Sequence, residues 1–451
     1  MRRITSFLLA GAMALMLLAG CSGSGSDPKD QAPAEPSADS TSVAEPDTTP
    51  EPDDLSSEPM TLSVWTSQYN EADLVALEST IAAFNQKHPN VTIDLVTVED
   101  YETAYKLAFD GNDGPDVVYV DDTTQVLLER YGYLKDITSY VEQYGWADVC
   151  QDGLLDYQNA RHPGRYYSAS AWSNPRAFWY NKTIFDALGL SVPTTLAELE
   201  ECARVVREAG YVPFELSTLT LLWNIDELIF DYADYDEVAD WYYLRGTSAG
   251  MESARLTAME TIQNWRDSGY FRDEAVSLDT TAAFTMFASG TSAMFYCSGN
   301  ISNYFDAYVS GFEVGAFPFP AVEAGAEKVI VNGTHGGWAM NAVIGEEKAD
   351  MAAEFINMFF TEEVNGYWVA AGYFSALSYD AAGVNTSPSY EKVVSACEGT
   401  KIGFFMDNAL TGLLDKMLSL NEAFLLGDID GASYASSINE TYETLKAEQA
   451  G

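Results

Sequence analysis

MTLSVWT (Met60–Thr66), VTIDLV (Val91–Val96) and VVYV (Val117–Val120) are three short apolar runs, and what separates them decides the fold. The first is followed by Glu71–His88, where Leu74, Leu77, Ile81 and Phe84 recur three or four residues apart, the period of one helix face. The second is followed by a stretch carrying Tyr101, Tyr105 and Leu107, closed by Gly114-Pro115 before the third run begins. Short β-branched runs bounded by turn residues read as strands. Strand, helix, strand, helix, strand predicts an α/β fold with a parallel sheet, since parallel neighbours need a crossover connection. In open sheets of this kind ligands bind beyond the carboxyl ends of the strands, which here means Trp65-Thr66-Ser67 and Asp121-Asp122.

Upstream of the first strand the chain is of a different kind. Arg2 and Arg3 precede an apolar run from Phe7 to Leu18, which ends in Leu18-Ala19-Gly20-Cys21. Residues 1–20 therefore read as a secretory signal, too short for a stable membrane span and closed by small residues. The tetrad resembles a bacterial lipobox, which implies that Cys21 is lipidated and becomes the new N-terminus. The plainer alternative is a signal peptide that happens to contain a cysteine. Residues 21–59 hold no aromatic residue, carry Pro at 28, 33, 36, 46, 50, 52 and 59, and set ten acids against the single Lys29 between Ser22 and Pro59. Such a segment buries too little apolar surface to fold and reads as a tether. In extended polyproline form it reaches on the order of 100 Å from a membrane.

Roughly 390 residues remain, enough for two packed domains. The formal charge of −45 over 451 residues excludes nucleic acid as a partner and disfavours polyanionic ligands. Cys150, Cys202, Cys297 and Cys397 stand apart, without the Cys-x-x-Cys spacing of a zinc or redox site. Disulfides and buried free thiols are both consistent with that spacing. Three histidines, at 88, 162 and 335, form no paired metal spacing, and neither a metal site nor a cofactor is expected. Gly246-Thr247-Ser248-Ala249-Gly250 formally matches a nucleophile elbow, with His335 downstream. The segment before it, however, reads as an acidic aromatic helix ending at Gly246, with Ser248 placed to cap the next one. Asp110 and Asn112 begin like a calcium loop, but Pro115 stands where the turn glycine is required.

Several further segments carry a resemblance. GNDGPDVVYVDD (Gly111–Asp122), FWYNKTIFDALGLSVPTTLAEL (Phe178–Leu199), FASGTSAMFYCSGN (Phe287–Asn300), AFPFPA (Ala316–Ala321), GTHGGWAMNA (Gly333–Ala342) and AAGYFSA (Ala370–Ala376) follow one another in order. Together they resemble the landmarks of the family 1 extracellular solute-binding proteins, the carbohydrate-type receptors of ABC importers. The resemblance implies a periplasmic-binding-protein-like α/β fold of two lobes, joined by crossing hinge segments around an interlobe ligand cleft. It places the hinges near Ala171–Asn174, Pro318–Ala321 and Gly372–Phe374. Lobe one is then 60–172 with 322–372, and lobe two 173–321 with 373–451. It also implies a carbohydrate ligand, an ABC permease as partner, a monomer, no catalysis, and a place on the extracytoplasmic face of the membrane through the lipid on Cys21.

Sugars present hydroxyls at their edges and C–H bonds on their faces, so their sites combine acids or amides with flat aromatic rings. Trp65, Ser67 and Gln68 follow the first strand, and Asp122 follows the third, with Asp121 left to cap the next helix. Asn174 lies at the first hinge, unless Asn174-Pro175 merely makes a turn. Trp172 and Trp223 are candidate stacking platforms, with burial in the core as the alternative for each. Gly337 and Trp338 belong to the glycine-rich stretch that the resemblance aims at the cleft. Asn300 stands where relatives often carry an aromatic, and Tyr373 lies by the third hinge. Two other readings stay open: a surface glycoside hydrolase, which requires two carboxylates about 5 to 10 Å apart, and a receptor of the same fold for a non-sugar solute.

Overall fold

The computed structural model describes residues 58–449 apart from 68–70, 152, 160–161, 163, 246–248, 335, 379–383, 385, 404, 407–409 and 411. Cys21, the signal segment, most of the tether, Gln68, Gly246–Ser248 and His335 lie outside the described residues.

Two sheets organise the rest. In chain order, β1 (Met60–Ser67), β2 (Val91–Val98), β3 (Val117–Val120) and β4 (Ser168–Ala169) belong to the first. β5 (Trp172–Asn181), β6 (Val212–Glu215), β7 (Ser292–Ser298), β8 (Val314–Phe317) and β9 (Val329–Thr334) belong to the second. β10 (Gly337–Met340) returns to the first, and β11 (Phe374–Ser375) and β12 (Lys401–Gly403) complete the second. The first sheet runs β2-β1-β3-β10-β4, with β1 parallel to both β2 and β3, and β10 antiparallel to β3. The alternation of β1 buries Leu62, Val64 and Thr66 on one face, whereas β3 is buried at all four positions, as befits a strand covered on both sides. The expected helix after β1 spans Glu71–Lys87 and the next Tyr101–Asp110.

The second sheet runs β12-β9-β5-β7-β6, and β8 and β11 also pair with β5. β5 is thus its spine, antiparallel to β7, β8, β9 and β11. On one side its core holds Phe178, Phe214, Tyr296, Phe317 and the buried face of the helix Thr218–Tyr232. On the other, Trp179, Phe287, Phe295 and Phe305 pack together.

The chain changes sheets between β4 and β5, between β9 and β10, and ahead of β11. Pro318–Ala321, expected as the second crossing, lies instead within the second sheet's territory. Ala321 bridges Thr195 and its carbonyl accepts from the Leu196 N–H at 2.9 Å, while Phe317 and Phe319 are buried in that core. The reason is β9. Its residues Asn332–Thr334 pair antiparallel with Pro175–Ser173 and its start pairs parallel with β12, so the crossing falls between β9 and β10. Asn174-Pro175 likewise makes no turn: both residues lie inside β5. The four cysteines in the described residues are free thiols, three of them buried. Burial pushes the thiols of Cys150, Cys297 and Cys397 up to about 12, which makes them inert.

Candidate functional site

The polar groups at the carboxyl end of the first sheet divide their work. Asp121 caps the helix Asp122–Arg130, its Oδ1 accepting from the Thr124 N–H at 2.7 Å. Asp122 instead faces the second sheet's residues: its Oδ1 accepts from the Thr334 hydroxyl at 3.2 Å and its Oδ2 from the Tyr157 hydroxyl at 3.4 Å. A carboxylate from one sheet therefore meets hydroxyls packed with the other. Gly336, at φ +70, sits beside this junction, where a Cβ would come within 2.2 Å of the Tyr119 hydroxyl oxygen. Only glycine supplies both that conformation and that clearance.

Along β5 the same face carries Asn174 and Arg176, two residues apart. Asn174 is clamped: its N–H donates to Asn332 Oδ1 at 3.1 Å, and its Oδ1 accepts from the Ser298 hydroxyl at 2.5 Å. Arg176 is 3% exposed. Its guanidinium lies 4.2 Å from the ring centres of both Trp223 and Phe405, and its Nε and Nη1 have no hydrogen-bond partner among the described residues. Next to it is Glu227, also buried, which accepts from the Val331 N–H at 2.7 Å and from the Tyr296 hydroxyl. Burial raises the Glu227 carboxyl to about 8, against the pull of those two donors and of Arg176.

Beyond Asn174 the wall opens into a groove of about 390 Å³. One side is the start of the first helix, at Ala72 and Asp73; the other is the segment Asn300–Tyr308; the end is Ala371–Tyr373, where the chain crosses towards β11. The Asn300 N–H donates to Ser298 Oγ at 3.2 Å, which joins the groove to the Asn174 clamp. Its side-chain amide atoms are buried, with neither paired among the described residues. An amide in that state has a donor and an acceptor unused.

The residues expected from sequence fall into three groups. Asn300 and Tyr373 line the groove, and Asp122 and Asn174 lie at the junction. Trp65, Ser67 and Trp223 are half-buried, with Trp65 tilted 6.3 Å from Tyr105 and Trp223 against Arg176. Trp172 and Trp338 correct the expectation, because both are core: Trp172 is 1% exposed among Tyr119, Phe359, Trp368 and Tyr373, and Trp338 is 0% exposed against Phe355 and Phe359. Their rings are spent on neighbours. Gly337 is buried opposite Val120 in β10. Sequence reasoning missed Arg176, Tyr157, Glu227 and Tyr304. Only Arg176 left a signal, being two residues after Asn174 and so on its side of a strand.

The profile of the bacterial extracellular solute-binding proteins matches residues 70–366. An uncharacterized ABC transporter extracellular-binding protein of Pyrococcus horikoshii is 24% identical over 272 residues, 57% of this chain and 60% of that one. The multiple sugar-binding protein of Streptococcus mutans is 24% identical over 159 residues, 34% of this chain and 35% of that one. The match thus spans less than two thirds of either relative. Among solved structures, a chitin oligosaccharide binding protein superposes with a TM-score of 0.73 at 16% identity, over 86% of this chain and 99% of that one. That likeness is one of fold.

Proposed function

The chain belongs to the bacterial extracellular solute-binding protein family, and on that premise we propose that it captures a neutral sugar or oligosaccharide between two lobes and delivers it to an ABC permease. Lobe one is built on the first sheet and lobe two on the second. No reaction is catalysed. Cys21 carries a lipid that holds the receptor, as a monomer, on the extracytoplasmic face of the membrane, and the acidic tether sets its reach.

The observation that carries this reading is the groove at the sheet crossing, which Asp73 lines from one side and Tyr304, Tyr308 and Asn300, its amide unpaired among the described residues, from the other. Amide and carboxylate suit hydroxyls, and ring faces suit the C–H faces of a pyranose. Sugars also figure in the names of two similar proteins, the multiple sugar-binding protein and the chitin oligosaccharide binding protein. A ligand touching both walls at once favours the closed arrangement over the open one and shifts the population by hinge bending.

A thermal-shift screen of mono- and oligosaccharides, followed by chromatography of the incubated sugars, tests the proposal. A bound sugar at about 100 times its dissociation constant stabilises the native state by roughly 2.7 kcal/mol. A raised melting temperature with the sugar recovered intact supports a receptor. Recovery of shortened sugars would make the protein a hydrolase, and stabilisation by amines or peptides alone would redirect it to another solute.

A further inference from the structure

The helix Leu154–Asn159 is held on the first sheet's side by its own anchors. Leu155 is buried in that sheet's core. Asn159 is tied to the start of β4: its Nδ2 donates to the Ser168 carbonyl at 3.0 Å, and its Oδ1 accepts from the Tyr167 N–H at 2.8 Å and from Gln125 Nε2 at 3.3 Å. Tyr157 breaks that pattern. Two positions from Leu155, it leaves the opposite face of the helix, is 2% exposed, and packs in the second sheet's core. Its ring stacks on Tyr242 with centres 5.4 Å apart and planes 16° from parallel, and Phe405 meets it edge-on at 6.3 Å. One short helix is therefore rooted in one core and plugged into the other.

The plug is held by its polar end as well. The Tyr157 hydroxyl donates to Asp122 Oδ2 at 3.4 Å and accepts from the Phe405 N–H at 3.2 Å, so the proton it gives to the first sheet's carboxylate leaves a lone pair for the backbone that follows β12. β9 makes room for the ring, since a Cβ on Gly333 would come within 2.8 Å of Tyr157 Cε1. Farther out the two sides part, around a pocket of about 250 Å³ with Asp156, Arg165 and Tyr166 on one wall and Tyr243 and Arg245 on the other. On this flank the ring is where they meet. Resting on the reading of two lobes, we infer that Tyr157 is a latch that holds them together before any solute binds. Tyr157 is not among the residues that line the groove, so latch and solute act at different places. Apparent affinity scales with the fraction of receptor already in the binding arrangement. Opening the latch thus weakens every solute by the same factor, which loss of a contact to one ligand does not do.

Spin labels on Leu107→Cys and Leu426→Cys, both exposed and one on each lobe, test this in the Cys21→Ser chain, denatured and refolded beforehand to strip carried-over solute. Dipolar distances are compared for that parent, for Tyr157→Phe, which keeps the stack and loses the hydroxyl, and for Tyr157→Ala. With no solute added, the parent is expected to give one narrow distance distribution. Tyr157→Phe adds a second population, and Tyr157→Ala moves most molecules into it. Because the plug is buried, melting curves come first, and Tyr157→Phe decides alone if Tyr157→Ala does not fold. A second population in either folded variant supports the latch. Folded variants that all match a narrow parent overturn it, and a parent already spread over both populations overturns it while leaving two moving lobes in place. No sugar enters the measurement, so the capture of sugar stands or falls separately, by the thermal-shift screen.

Discussion

Glu227 is a carboxyl that folding makes easier to protonate. It is buried between the Tyr296 hydroxyl and the Val331 N–H and raised to about 8, while an exposed glutamate in the unfolded chain stays near 4.3. The folded state therefore binds the extra proton between those values. Its stabilisation is complete at low pH and is lost as pH rises through about 8. Asp231, raised by burial to about 7, acts in the same direction. Glu227→Gln keeps an oxygen to accept both hydrogen bonds and removes the ionisation. Its stability relative to wild type is expected to improve steadily from pH 5 to pH 8 and then level off, as read from urea melts; a difference independent of pH would sink the assignment. The two tryptophans divide by a second test. Trp172, enclosed by four rings, is expected to cost about 3 to 5 kcal/mol of folding stability on truncation to Ala. Trp223, half-buried over Arg176, is expected to lose roughly 1 to 3 kcal/mol of sugar affinity with a smaller loss of stability. Parallel melting and titration of both variants decide it, and the reverse pattern would exchange their roles.

At the scale of elements, the first three strands were legible and the second crossing was not. β1 to β3 announce themselves because each is a short β-branched run, β1 pairs with both of the others, and the helix after β1 shows its period in Leu74, Leu77, Ile81 and Phe84. β9 shows the limit. VIVNGT reads as a strand, but nothing in it says that it pairs with β5, more than 150 residues earlier, or with β12, some 70 residues later. The partner of a strand is settled by tertiary packing that its own composition does not encode. The site behaves likewise. Asp122 and Asn300 could be found because strand ends and a departure from a familiar pattern are local features. Trp172 and Trp338 could not be told from ligand platforms, because a core ring and a binding ring have the same composition and differ only in what covers them. Arg176 was hidden for the opposite reason: a strand arginine ordinarily reads as solvent-facing, and only the facing Trp223 and Phe405 show it to be enclosed.

The whole chain places before its body a stretch, residues 21–59, that contains no aromatic residue. Among the described residues no helix is long and apolar enough to cross a membrane. If the body is to stay near a permease, retention must come from elsewhere, and Cys21 is the residue whose setting suits it. Acyl chains give stable anchoring when two or more act together, each buried CH₂ contributing about 0.8 kcal/mol. The formal charge of −45 works against adhesion to an anionic membrane surface, so on the proposed anchoring a lipid on Cys21 has to supply the attraction. Cys21→Ser is therefore expected to move the protein from the membrane fraction to the soluble one and to abolish incorporation of labelled fatty acid. Sugar affinity should be unchanged, because the groove residues belong to a body that begins at β1. Fractionation with a lipid label, alongside titration of the released protein, checks both halves. Wild type that holds to the membrane without incorporating label would remove the anchor, and a released variant with weakened binding would show that residues before 58 take part in the site.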